Sequence, residues 1–171
     1  MNDIAEENAN CFQKGNFKVG YSIDSNECIK WMPMILCWQP NNYIGITENG
    51  RWVVEERSGI RFLNTPQAFL RVEILLERPL VDIQTELLQN LCRNSIEELE
   101  FPYIDIISQV FINDSNYWVE LAFLWFDTMP LDMKVLLKQE LEIVRNRKEL
   151  SQKLRHRAMK EHAKLKRLID S

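Results

Sequence analysis

Glycine is scarce in this chain, with five in 171 residues, scattered at positions 15, 20, 45, 50 and 59. Phosphate-cradling loops need clustered glycines, because only glycine lets the backbone approach the phosphate closely. Nucleotide enzymes built on such loops are therefore excluded from expectation. Histidine is scarcer still, limited to His156 and His162. Six residues apart on a helix, they point to nearly opposite faces, which suits neither a metal pair nor a proton relay. Both read as solvated surface groups. The cysteines, Cys11, Cys28, Cys37 and Cys92, include no Cys-x-x-Cys pair. They are expected to be free, partly buried thiols in a reducing compartment. No apolar run reaches the roughly 18 residues that a membrane helix needs. The first ten residues carry Asp3, Glu6 and Glu7 and no basic group, unlike a secretory signal. The expectation is a cytoplasmic protein with no membrane contact, no cofactor and no metal.

What the chain does hold is apolar and aromatic bulk. Hydrophobic residues make up 46%, with five Trp and eight Phe, enough to repay the entropy of ordering a core. Phe17, Val19, Tyr21 and Ile23 alternate with Lys18, Gly20 and Ser22, a strand pattern with one buried face. Ile29 to Trp38 is apolar around Pro33, which predicts an edge or bulged strand, or two short strands, because proline lacks a ladder donor. Tyr43–Thr47 and Arg51–Val54 flank Asn49-Gly50, the signature of a hairpin. Ile60 to Leu63 adds a further short strand.

After Thr65-Pro66 the pattern turns helical, since Thr caps and Pro tolerates the first helical position. A helix is expected over 66–78, although alternation at 70, 72, 74 and 76 keeps a strand open. Leu80, Ile83, Leu87 and Leu91 mark an amphipathic helix. Ser95 with Glu98 reads as a capping box for the next segment, and 103–112 fits helix or strand. Tyr117 to Phe126, apolar nearly all round, reads as the central core helix. From Leu131 to the end there is neither Gly nor Pro after Pro130, which predicts one long helix, buried to Val144 and basic beyond it. The fold class is α+β, an N-terminal antiparallel meander of four or five strands packed with a helical half that ends in a long basic helix. The expected organisation is a flexible segment 1–15, a single domain 16–144 and a basic extension 145–171.

Charge is the strongest asymmetry. Residues 1–133 hold nine Lys/Arg and twenty Asp/Glu, net −11, whereas residues 134–171 hold twelve and five, net +7. Two binding surfaces follow. The acidic one is assigned to Glu48, Glu55, Glu56, Glu97 and Glu98. Glu55 and Glu56 are adjacent on a strand, point opposite ways and cannot share a proton as a catalytic dyad. Glu97, Glu98 and Glu100 suit an acidic first helical turn. The five tryptophans, Trp31, Trp38, Trp52, Trp118 and Trp125, read as core, with Trp52 nearest the surface. No catalytic residue is assigned. The expectation is a non-catalytic protein-binding module with a basic protein partner. Adaptors and toxin-neutralising proteins of the immunity type share its size, acidity and missing catalytic groups.

The alternative is nucleic-acid binding through Arg147, Lys148, Lys153, Arg155, Arg157, Lys160, Lys164, Lys166 and Arg167. Clustered cations are all that phosphate contact requires, although Glu149 and Lys153 stand at an i,i+4 spacing that would pair them.

Overall fold

The structure, a computed structural model, describes residues 16–38, 42–96 and 99–169, the Trp38 side chain excepted. The segment 1–15 and the residues Glu97 and Glu98 lie outside the described residues. The chain divides into two compact units between Phe101 and Pro102, whereas the charge pattern placed a boundary at Val144. Counted by unit, residues 1–101 hold nine Lys/Arg and fifteen Asp/Glu, net −6, and residues 102–171 hold twelve and ten, net +2.

The first unit opens with a five-stranded antiparallel meander in sequence order. The strands are β1 (Lys18–Tyr21), β2 (Cys28–Trp38), β3 (Asn42–Thr47), β4 (Trp52–Glu56) and β5 (Gly59–Phe62). The sheet curls until its ends meet, with Ser22 bridging Ile60 and the Ile23 N–H donating to the Ile60 carbonyl at 2.9 Å. Gly59 sits at this seam with φ +142°, and a Cβ there would lie 2.5 Å from the Tyr21 carbonyl oxygen. Ile29, Trp31, Val53 and Ile60 fill one face, with Tyr43 and Phe62 packed against them. The opposite face carries Met32, Ile44, Ile46 and Val54, all buried.

Three strand expectations are refined. The alternation over Phe17–Ile23 predicts Val19 and Tyr21 inside; they are 67% and 60% exposed. It is Lys18 that faces the packed side of the curl, because it pairs in register with Trp31 and its ammonium lies over the Trp31 and Tyr43 rings at 5.4 and 4.6 Å. The Asn49-Gly50 hairpin uses a three-residue loop in which Gly50 alone takes a positive φ, +72°. Pro33 sits at a bulge, where the register against β3 shifts between Pro33 and Ile35, but β2 is an interior strand.

Thr65 caps α1 (Pro66–Leu70), its hydroxyl accepting from the Ala68 N–H at 3.2 Å with Pro66 at the first helical position. A 3-10 segment (Glu73–Glu77) follows, so the expected helix over 66–78 is broken in two. In α2 (Leu80–Arg93), Leu80, Ile83, Leu87 and Leu91 are all buried, each contributing about 1.5–3 kcal/mol. Ser95 does not begin a helix. Its φ of +56° and the bonds Ile96 N–H to Leu91 O and Ser95 N–H to Cys92 O form the left-handed cap that ends α2. The capping-box reading fails because Ser95 is already committed to the preceding helix.

The second unit is helical throughout its described elements: α3 (Tyr103–Asn113), α4 (Asn116–Thr128), α5 (Leu131–Leu136), α6 (Lys138–Asn146) and α7 (Gln152–Ile169). Segment 103–112, open to either reading from sequence, is helix. Its core gathers Phe111, Phe123 and Phe126, with ring centroids 4.8 to 6.4 Å apart, and Tyr103 set edge-on to Trp125. Burial pushes the Tyr103 phenol up to about 12. The α4 helix is not apolar-buried all round. Val119, Ala122, Phe123, Trp125 and Phe126 are inside, but Tyr117, Glu120, Leu124 and Asp127 form an exposed stripe.

The single long helix expected from Leu131 is three helices. The interruption at Arg147–Ser151 contains no Gly or Pro and is fixed by tertiary bonds. Arg147 donates to the Phe111 and Asp114 carbonyls at 2.9 and 2.7 Å, capping the end of α3. Leu150 is buried, and the Ser151 N–H donates to Asn116 Oδ1 at 2.6 Å. The chain reverses there, and α6 and α7 form a helical hairpin.

Candidate functional site

Each described carboxylate of the expected acidic surface carries a cation. Glu48 pairs with Lys30 at 2.6 Å, Glu55 with Lys18 at 3.4 Å and Glu56 with Arg61 at 2.7 Å. Glu55 and Glu56 do leave β4 on opposite sides, as strand alternation requires. The hydrogen bond that Arg61 donates to Glu56, aided by the charges of Glu56 and Asp24, raises the Arg61 guanidinium above its ordinary value. These residues therefore form charge pairs spread around the curl rather than one acidic patch. Their partners stand up to 37 residues away in sequence, which is why no local pattern identified them.

The basic residues are likewise sorted by packing. Leu154, Ala158 and Leu165 form the buried stripe of α7. Lys153 reaches Glu120, Arg157 reaches Asp127 and the Phe123 carbonyl, and Arg147 reaches Glu149 as well as the end of α3. The expected Glu149–Lys153 pair is absent, because Glu149 lies before the first turn of α7. Arg155 is half-buried, and its Nε has no hydrogen-bond partner among the described residues. Lys164 stands 3.9 Å from Glu161. Lys148, Lys160, Lys166 and Arg167 are exposed and form no ion pair among the described residues. His156 is exposed as expected. His162 is not solvated; its side chain is 14% exposed and lies 4.0 Å from a Glu142 oxygen.

Two features escaped the sequence pattern. The first is the outer face of β1 and β2. Val19 is in register with Lys30, and Tyr21 with Cys28, so an exposed valine and tyrosine share that face with an exposed cysteine. Lys30 is held beside them by Glu48 and by the Phe17 ring, 4.5 Å from its ammonium. The missed signal was the cost of the alternative: burying Phe17, Val19 and Tyr21 leaves Gly20 as the outward residue beside Lys18, a poor solvent face.

The second is a cleft of ≈ 640 Å³ where β1 begins and α2 ends. It exists because β1 begins only at Lys18, opposite Trp31, while β2 continues to Trp38. Beyond β1, α2 takes over the edge of β2: Asn90 donates to the Met34 carbonyl at 2.7 Å, and Glu86 accepts from the Leu36 N–H at 2.8 Å. Arg78 donates to the Leu36 carbonyl at 2.9 Å and to Glu86 at 2.6 Å. Side chains thus satisfy a strand edge that would otherwise be open. Between the two coverings lies a notch walled by Phe17, Pro33 and Tyr43 and rimmed by Arg93. Its signal in sequence was the amide-rich last turn Asn90-Leu91-Cys92-Arg93-Asn94 on the polar side of an otherwise ordinary amphipathic helix.

Among the described residues, no helix is long and apolar enough to cross a membrane. Comparison of the chain with protein-family models, with curated proteins and with solved structures returns no match.

Proposed function

We propose that the chain is a non-catalytic protein-binding module that receives a basic protein partner on the outer face of β1 and β2. The observation that carries the reading is the exposed pair Val19 and Tyr21 on a hydrogen-bonded strand. Tyrosine supplies large contact area at low entropic cost, and an apolar centre with a polar rim is the anatomy of a binding surface. The rim here is Lys30, Glu48 and the exposed Glu27. The net −6 of this unit supplies long-range attraction for a positively charged partner. Adaptor and toxin-neutralising roles both fit such a surface.

The test is affinity purification with the full-length chain and with a Val19→Ser, Tyr21→Ser double variant. Both side chains already stand in water, so the variant keeps its circular dichroism spectrum and melting temperature. The expected result is a stoichiometric partner held by the parent and lost by the variant. Equal retention by both, or no partner with the parent, overturns the reading.

A second reading rests on Lys148, Lys160, Lys166 and Arg167, the exposed cations of the helical unit without ion pairs among the described residues. Nucleic-acid binding through them engages about four phosphates, so log K falls with log salt at a slope of about −3 to −4. Absence of any mobility shift with duplex DNA or RNA at low salt removes it.

A further inference from the structure

We propose that the cleft between the start of β1 and the end of α2 binds a carboxylate joined to a compact apolar group. Its volume, ≈ 640 Å³, lies in the range of small-ligand sites. The walls and the rim ask for different chemistry. Phe17, Pro33 and Tyr43 are half-buried and line the cleft, and the fully buried Met32 and Met34 form its floor. An apolar group placed there leaves water at both surfaces.

The rim is rich in donors. Arg93 and Asn16 are exposed, and neither side chain makes a hydrogen bond among the described residues. Asn94 is fixed by its amide, which donates to the Asn90 carbonyl at 2.7 Å. Lys18 adds a second positive charge at the mouth, positioned by Glu55 and by the Tyr43 ring. The one carboxylate that lines the cleft among the described residues, Glu86, has both oxygens engaged, by the Leu36 N–H and by Arg78. It therefore does not satisfy Arg93. A planar guanidinium with free donors beside an apolar wall matches a carboxylate in a two-bond geometry. Arg93 also stands in the last turn of α2, where a cation complements the helix end without occupying its donors.

The carboxylate could belong to a free small acid or to the end of a polypeptide, and the chemistry at Arg93 is shared. The experiment uses the full-length chain, isotopically labelled and followed by amide chemical shifts. The probes are 4-methylpentanoate for the free acid and N-acetyl-Ala-Leu for the chain end, each beside its uncharged amide. The expected result is saturable shifts at Phe17, Arg93 and Asn94, with each amide binding about tenfold more weakly than its acid. Arg93→Gln lowers acid affinity by about tenfold, whereas Arg57→Gln, an exposed cation outside the cleft, leaves it unchanged. Tighter binding of the dipeptide assigns the chain end, and tighter binding of 4-methylpentanoate assigns the free acid. Equal affinity for acid and amide, wild-type affinity in Arg93→Gln, or no saturable shift up to about 20 mM overturns the proposal.

Discussion

Lys153 Nζ lies 2.7 Å from Glu120 Oε1, tying α7 to α4 across 33 residues of sequence. The hydrogen bond and the charge of Lys153, with a smaller contribution from Arg157, hold the Glu120 carboxyl below its ordinary range. A depressed carboxyl stabilises the fold above its unfolded value, and that contribution is lost as pH falls through the lowered folded value. Both partners are exposed, so the stability at stake is small. The expected outcome is a Glu120 titration midpoint, read by carbon NMR, that lies below the ordinary glutamate value and returns to it in Lys153→Met. The urea midpoint at neutral pH scarcely moves. A Glu120 midpoint unchanged by the substitution means that the pair does not form in solution.

Arg147 has a heavier task. Its side chain is 12% exposed and its fork ends α3 by binding two carbonyls, at Phe111 and Asp114. Removing it strands both acceptors and loosens the turn between α6 and α7. Arg147→Ala is expected to destabilise the protein by about 3 kcal/mol. Arg147→Lys recovers less than half of that, because an ammonium cannot span both carbonyls. Urea denaturation of the three proteins decides it, and a loss below about 1 kcal/mol for Arg147→Ala counts against the role.

Arg147 also shows where the sequence stops being readable. Periodicity located Leu80, Ile83, Leu87 and Leu91 correctly, because four apolar groups on one helix face have no other use. The antiparallel meander, expected with four or five strands, was legible from the alternation at Phe17–Ile23 and the hairpin at Asn49-Gly50. A helix that ends at Asn146 without Gly or Pro ends for a tertiary reason, and its cause lies 33 and 36 residues upstream. Ser95 could begin a helix or end one; the left-handed backbone at its position selected the latter. Val19 and Tyr21 alternate as buried residues do, and only closure of the curl, with Lys18 over Trp31, turns them outward. The candidate surfaces were legible to the same extent. That Glu55 and Glu56 diverge follows from strand geometry, but the cations that pair with them, and the cleft opened by a short β1 beside a longer β2, depend on how the strands are assembled.

Thiol chemistry separates the three described cysteines. Cys28 and Cys92 are exposed, and Cys37 is held in β2 near Arg78. Desolvation raises the Cys37 thiol to about 12, against an opposing pull from the Arg78 charge. At pH 8 its thiolate fraction is then on the order of 10⁻⁴, and the thiolate is the reacting form. Brief treatment with iodoacetamide followed by peptide mapping is expected to find Cys28 and Cys92 alkylated and Cys37 intact. Alkylation of Cys37 should begin only in denaturant. Labelling of all three at similar rates in the native protein would contradict the burial of that strand.

Gly45 and Gly50, five residues apart, give the sharpest contrast in the sheet. At Gly45 a Cβ would overlap the Met32 carbonyl oxygen and the Trp31 ring. Trp31 is 1% exposed and cannot retreat, since Ile29, Val53 and Ile60 surround it. Gly45→Ala therefore forces strand separation or rearrangement of the indole, at a cost of about 3 kcal/mol or more. At Gly50 nothing lies within 4 Å of the added atom, and the difficulty is the φ of +72° alone. Gly50→Ala is expected to cost about 1–2 kcal/mol. Replacing Gly50 with Asn, which tolerates the left-handed region, should cost less than Ala does. The same order does not hold at Gly45, where Asn is larger than Ala and the obstacle is space. Thermal unfolding of the four variants, with near-ultraviolet dichroism reporting on Trp31, tests both arguments. If Gly45→Ala unfolds at the parent temperature with an unchanged tryptophan signal, the stacking of Trp31 on the β3 backbone is wrong.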